Sequence, residues 1–124
     1  MSDATWQTHT DPRIAAVVAA VPYAADFDTA SLAKPSVPLG MVTARQDIWL
    51  HPRFHSDPVL RACAPACEHV ADLAKGGHGA LLSPLPPLTG LLGDLLNDPP
   101  DFDRGALPAV DKKIAAFFRK HLLP

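Results

Sequence analysis

The sequence predicts an α/β fold in which about three parallel strands and their flanking helices form one domain over residues 1–124. Two continuous apolar runs and a third, shorter and half-polar run are the main observations behind this prediction. Apolar runs without strict alternation are typical of strands that are covered on both faces, as in a parallel sheet. The segments between the runs are long enough for the crossover connections that parallel strands require.

Each apolar run has boundaries that fit a strand. The first, "IAAVVAAV" at residues 14–21, is stopped by Pro22, although its many alanines leave a buried helix open. The second, "VPLGMVTA" at residues 37–44, contains Pro38, which is tolerated near the start of a strand. The third, "HVADL" at residues 69–73, is half polar, which favours a position nearer the edge of the sheet.

Three further segments have helical signals. In "SDPVLRACA" either Ser56 or Asp57 can cap a helix whose first turn contains Pro58. The leucines of residues 88–96 recur at helical spacing and predict an apolar face, which Gly90 and Gly93 weaken. The C-terminal stretch repeats this periodicity and places basic residues near its end, so it predicts a closing helix.

Composition and charge exclude several classes of function. With 13 acidic and 11 basic residues the net charge is −2, which argues against a nucleic-acid partner or an anionic membrane. No stretch approaches the roughly 18 apolar residues of a membrane span. The polar segment at residues 1–10 lacks the features of an export signal and is expected to be loose. We therefore predict a cytoplasmic protein, in which thiols are the default for Cys63 and Cys67 while their redox state stays open.

Two residues stand where a catalytic pair would be expected. Asp47 follows the second predicted strand, and His78 follows the third within "GGHG", whose glycines allow the loop to turn tightly. The carboxyl ends of parallel strands meet at one edge of a sheet, where ligands and catalytic groups collect. A lone aspartate after a strand is more often a turn former. If Asp47 and His78 act together, the carboxylate should lie roughly 2.6–3.2 Å from Nδ1 of the imidazole.

From Asp11 onward the chain resembles the C-terminal half of an α/β-hydrolase of the dienelactone-hydrolase-like group. The resemblance implies a partial α/β-hydrolase fold and the hydrolysis of a carboxylic ester or lactone through an acyl-enzyme, without cofactor or metal. It also implies that Asp47 is the acid of a Ser-Asp-His triad and His78 its general base, in the family's chain order. Four segments carry the resemblance. The strand after the nucleophile is resembled by "DPRIAAVVAAVP" and the acid strand by "VPLGMVTARQD". The histidine loop is resembled by "GGHGALLSPLPP" and the closing helix by "DPPDFDRGALPAVDKKIAAFFRKHLLP".

The family's nucleophile motif is missing from these residues. The G-x-S-x-G elbow exposes a serine on a strained turn upstream of the acid, and no serine here has that context. Cys63 and Cys67 follow the acid and cannot replace it. We therefore expect a truncated serine hydrolase-like protein that is inactive alone and that self-associates or pairs with a missing N-terminal half. The serines are Ser2, Ser31, Ser36, Ser56 and Ser83.

Two other classes of function stay open. The chain can be a non-catalytic oligomerisation or binding module built on the same fold. It can also be a small metal-binding protein, although its C-x₃-C and H-x₃-H spacings fit no common zinc pattern. The candidate ligands are His51, His55, Cys63, Cys67 and His69.

The apolar residues around the predicted site have two interpretations. Trp49, Leu50 and Phe54 follow Asp47 and can line an acyl pocket in the parent enzyme, but packing in the core explains them equally well. The leucines of residues 81–96 can belong to a lid or to an element that touches a membrane. Because such faces are usually buried, we predict a plain packing helix.

Overall fold

A computed structural model describes residues 9–124, so most of the segment predicted to be loose, residues 1–8, lies outside the described residues. None of the helices in the described part of the chain is long and apolar enough to cross a membrane. In chain order the elements are β1 (Val17–Ala20), α1 (Thr29–Leu32), β2 (Leu39–Ala44), α2 (Ser56–Cys63), β3 (Cys67–Leu73), α3 (Gly90–Leu96), a short 3₁₀ turn (Arg104–Ala106) and α4 (Leu107–Leu122).

The three strands form one parallel sheet in the order β1-β2-β3, which confirms the predicted fold class. In its register Leu39 of β2 lies between Val17 of β1 and Cys67 of β3. The half-polar third run is an edge strand, as predicted, and β1 occupies the other edge of this sheet. The central position therefore belongs to β2, whose residues from Gly40 onward are buried.

Helices cover both faces of the sheet, which explains why β2 is apolar without alternation. Successive side chains of a strand point to opposite faces. Met41 accordingly packs in a cluster with Val59 and Cys63 of α2, whereas Val42 belongs to a second cluster with Val110 of α4. Both Met41 and Val42 are fully buried. A polar side chain at either position would be removed from water without a hydrogen-bond partner and would lower the stability of the fold.

The α2 region differs from the sequence prediction in two respects. The helix begins at Ser56, which is buried, and the N-cap is His55, whose side chain makes no capping hydrogen bond. Ser56 and Asp57 are therefore the first helical residues, and Pro58 lies in the first turn as predicted. Cys63 at the end of α2 forms a disulfide with Cys67 at the start of β3, with their Cα atoms 5.5 Å apart. The prediction of free thiols is wrong, because the tight α2–β3 connection brings the two sulfur atoms together.

The leucine-rich helix α3 was predicted to pack through its leucines, and for Leu91 and Leu92 this prediction is wrong. Leu91 and Leu92 are 67% and 60% exposed. The buried residue of the helix is Gly93, whose Cα lies so close to Leu88 that an added Cβ would overlap the Leu88 carbonyl. This seven-residue helix therefore buries a glycine and leaves Leu91 and Leu92 on its outer surface, whereas Leu95 and Leu96 are half-buried.

The closing helix α4 confirms its prediction. Its buried residues are Val110 and Phe117, on the apolar face identified from the sequence. Asp103 accepts a hydrogen bond from the Gly105 amide and so caps the preceding 3₁₀ turn rather than α4 itself. At the other end of α4, Lys120 donates to Glu68 of β3 over 2.8 Å, and this hydrogen bond holds the pKa of Glu68 below its ordinary value.

Candidate active site

The turn after β2 holds the Asp47 carboxylate inside the protein, where the residue is 1% exposed. Its Oδ1 atom accepts hydrogen bonds from the amides of Trp49 and Leu50, over 2.9 and 2.8 Å. This is the local turn that an aspartate often stabilises after a strand. Oδ1 therefore explains the shape of the turn and leaves Oδ2 for another partner.

That partner is His78, whose Nδ1 lies 2.8 Å from Asp47 Oδ2. The contact expected from the sequence is thus present, and the two residues follow neighbouring strands of the sheet. Asp47 can stabilise its own turn and contact His78 at the same time, because the turn uses Oδ1 and the contact uses Oδ2. An ionised carboxylate only accepts hydrogen bonds, so Nδ1 donates and a neutral ring has its lone pair on Nε2.

Backbone hydrogen bonds fix the two loops against each other. The amide of Arg45 donates to the Leu73 carbonyl and that of Gln46 to the Gly76 carbonyl, each over 2.9 Å. These bonds continue the pairing of β2 with β3 beyond the ends of both strands. The separation of carboxylate and imidazole is therefore set by the register of the sheet and by short loops, which are rigid supports for such a pair.

An ion-pair network supports the acid turn from the side of α2. Arg45 donates to Asp57 over 2.8 Å and to Asp72 over 2.7 Å, and Thr43 donates to Asp72 over 2.6 Å. Burial alone would raise the pKa of Asp72, but the bonds from Thr43 and Arg45 hold it below its ordinary value. The sequence offers no signal for this network, because it depends on the register of β2 with β3.

His78 lines a cavity of about 340 Å³ between the acid turn and the α3 region. The indole N–H of Trp49 donates to the Asp94 carbonyl over 3.4 Å and joins the two walls. Within residues 9–124, Nε2 of His78 forms no hydrogen bond. The other lining residues are Gln46, Ile48, Gly77, Gly93, Leu95, Asn97, Asp98 and Pro99.

The glycines around His78 serve close approach rather than a left-handed turn. Among the described glycines only Gly90 has a positive φ, of 63°. A Cβ on Gly79 would instead lie 2.9 Å from the carbonyl carbon of Leu96 and overlap its oxygen. A Cβ on Gly77 would meet Cδ of Pro99, also at 2.9 Å. The "GGHG" sequence therefore lets the histidine loop pack directly on the segment that ends α3.

Other predicted site residues lie apart from the cavity. Trp49 lines it, as the acyl-pocket interpretation requires, whereas Leu50 and Phe54 do not. The disulfide withdraws Cys63 and Cys67 from the candidate zinc ligands, and residues 9–124 contain no group of three or more ligating side chains that could hold a metal. None of the serines from Ser31 onward lines the cavity.

No family model, curated protein or solved structure matches this chain. The resemblance to dienelactone-hydrolase-like enzymes is thus a hypothesis from the residues and motifs, for which these comparisons provide no support. The parallel sheet, the buried carboxylate and its bond to the imidazole are properties of the structure itself, and they provide the physical basis for a function.

Proposed function

We propose that this chain is the acid–base part of a serine hydrolase that acts on small carboxylic esters or lactones. The observation that supports the proposal is the 2.8 Å contact between Asp47 Oδ2 and His78 Nδ1 beside a cavity. In a triad the carboxylate holds the imidazole in the correct tautomer and stabilises the imidazolium that forms during reaction. Burial of Asp47 behind His78 suits that role, because a low dielectric strengthens the interaction between the two charges.

The proposed reaction follows from the free lone pair on Nε2. A serine hydroxyl attacks the ester carbonyl carbon while its proton moves to Nε2 of His78. The tetrahedral intermediate then expels the alcohol, whose oxygen takes that proton as the C–O bond breaks. Water enters next, gives a proton to Nε2 and releases the acid, and the proton returns to the serine. The serine lies outside residues 1–124 in this proposal, since the chain contains no nucleophile elbow.

The outer edge of β1 is the surface where we expect a partner of this chain to dock. The Val17 amide donates to the carbonyl of Pro38, directly before β2, and the Val21 amide donates to Val42 of β2. By alternation, the amides of Val18 and Ala20 point away from β2. No strand within the described residues pairs with that side, and the nearby Ile14 is 52% exposed. Unpaired edges of this kind seek further strands. We propose that a nucleophile-bearing N-terminal half docks there, with self-association as the alternative.

A cytoplasmic location, without nucleic-acid or membrane partners, is also part of the proposal. Its support is the net charge of −2, which provides no attraction to nucleic acid or to an anionic membrane. The Cys63–Cys67 disulfide weighs against it, because disulfides persist mainly in oxidising compartments. Alkylation of Cys63 and Cys67 in cells before lysis distinguishes a reducing from an oxidising compartment. Modified cysteines indicate thiols and a reducing compartment, and unmodified cysteines indicate the disulfide.

Activity measurements test the proposed function. The purified chain should not be labelled by a fluorophosphonate and should hydrolyse p-nitrophenyl acetate no faster than an equal concentration of free imidazole, because it lacks the nucleophile. Addition of the polypeptide encoded directly upstream should produce labelling on a serine of that polypeptide. His78→Gln should abolish the gained activity, whereas the matched change His51→Gln, at an exposed position outside the cavity, should not.

Two results would contradict the proposal. One is stoichiometric labelling of any serine within residues 1–124. The other is an upstream region without a G-x-S-x-G sequence, together with no gain of activity on mixing. The second result would favour the non-catalytic binding module.

A further inference from the structure

The charged groups on the wall of the His78 cavity are all acidic. Asp94 and Asp98 line it, and no lysine or arginine does. Arg104 contacts this wall from outside the cavity, where it donates to Asp98 Oδ2 over 2.6 Å and to the Leu82 carbonyl. Arg104 lines the two adjacent cavities instead of this one. Asp47 adds a further negative charge behind the imidazole when the ring is neutral.

Of these two aspartates, only Asp94 lacks a counter-ion among the described residues. Asp94 forms no ion pair with any residue from 9 to 124, and it is an exposed residue that lines the cavity. Asp98 is bound to Arg104 through Oδ2 only, and its buried Oδ1 has no hydrogen-bond partner within the same residues. Arg104 therefore compensates the charge of Asp98, and the negative charge of this wall that lacks a counter-ion is that of Asp94.

An aromatic ring completes this arrangement. Trp49 lines the cavity, is 44% exposed, and is held at Asp94 by the bond from its indole N–H to the Asp94 carbonyl. Indole is the best aromatic partner for a cation placed over its face. A carboxylate without a counter-ion beside an indole ring is a combination that recognises organic ammonium groups.

We propose that the His78 cavity binds esters whose acyl or alcohol part carries a positively charged organic ammonium group. This substrate class rests on the proposed hydrolase function, with the ester carbonyl at Nε2 of His78 and the ammonium group between Asp94 and Trp49. The cavity volume of about 340 Å³ limits the ligand to a small molecule. Substrates with a free carboxylate are disfavoured, because Asp94 repels them.

Binding of acetamides tests this proposal independently of hydrolysis, because amides resemble esters but resist cleavage. Three probes differ only in their terminal group: a trimethylammonium, an uncharged tert-butyl and a carboxylate, each on N-ethylacetamide. Titration of the ¹⁵N-labelled full chain at neutral pH, followed at the Trp49 indole signal, gives the affinities. Trp49→Phe assigns that signal. We expect the cation to bind roughly three- to tenfold more tightly than its uncharged isostere, and the anion to bind most weakly.

Matched variants locate the effect. Asp94→Asn should remove most of the preference for the cation, whereas Asp101→Asn, an exposed aspartate that does not line the cavity, should preserve it. Equal affinity for the three probes, preference for the anion, or no binding at millimolar concentration would each overturn the proposed substrate class. If the cation preference appears but the activity experiment fails, the cavity is a binding site and only the hydrolase function is lost.

Discussion

Replacing Asp47 with alanine is expected to lower the free energy of unfolding by about 3–5 kcal/mol. The change leaves the amides of Trp49 and Leu50 and the Nδ1–H of His78 without their acceptor at a buried site. A buried donor without a partner costs about 1–3 kcal/mol, and part of the sum is offset because the carboxylate itself no longer has to be desolvated. Urea denaturation followed by circular dichroism measures the difference.

The matched variant Asp47→Asn separates folding from chemistry. Its amide oxygen can still accept from Trp49 and Leu50, so the loss of stability should stay below about 2 kcal/mol. Its NH₂ group would donate to Nδ1 of His78 and move the ring proton to Nε2, which removes the base. The corresponding change lowers kcat about 10⁴-fold in a serine protease triad. Equal stability of the alanine variant and the parent chain would contradict the buried hydrogen bonds described for Asp47.

Gly79→Ala is expected to destabilise the protein by about 3 kcal/mol, at the upper end of the cost of overpacking. The added Cβ would overlap backbone atoms of Leu96, which cannot move away without displacing the end of α3. Thermal unfolding measures the loss. His78 adjoins Gly79, so the variant should also disturb the contact with Asp47.

Gly90→Ala provides the control for this substitution. Position 90 has no atom within 4 Å of an added Cβ, but its φ of 63° is unfavourable for alanine. We expect a cost of about 1–2 kcal/mol there, from the backbone alone. A Gly79→Ala variant no less stable than Gly90→Ala would show that the histidine loop does not pack closely on Leu96.

The fold was predictable mainly from its central strand, because burial of β2 on both faces of a parallel sheet favours a continuous apolar run. The runs at 14–21 and 37–44 identified β1 and β2, and the half-polar third run identified an edge strand. The start of β3 was missed by two residues. Cys67 and Glu68 pair with β2 although neither belongs to the apolar run, since strand pairing extends as far as backbone partners are present.

The contact between Asp47 and His78 was predictable for a similar reason, since both residues are positioned by the strands that precede them. The exposure of leucines on α3 was not predictable. Leucine periodicity shows which side chains share a face of a helix, but it does not show whether another element packs on that face. The buried residue of α3 is Gly93, which lies close to the Leu88 carbonyl, whereas Leu91 and Leu92 are exposed. The disulfide was missed because a spacing of four residues does not reveal that Cys63 and Cys67 adjoin a tight connection.

The tautomer of His78 is the most direct test of the proposed acid–base pair. Long-range ¹H–¹⁵N correlation spectra of the labelled chain distinguish protonated from unprotonated ring nitrogens above the pKa of the ring. The Asp47 contact predicts a proton on Nδ1 and an unprotonated Nε2, with the Nδ1–H signal lost in Asp47→Ala. A neutral ring protonated on Nε2, with no change in Asp47→Ala, would contradict the pairing of Asp47 with His78 and with it the proposed hydrolase function.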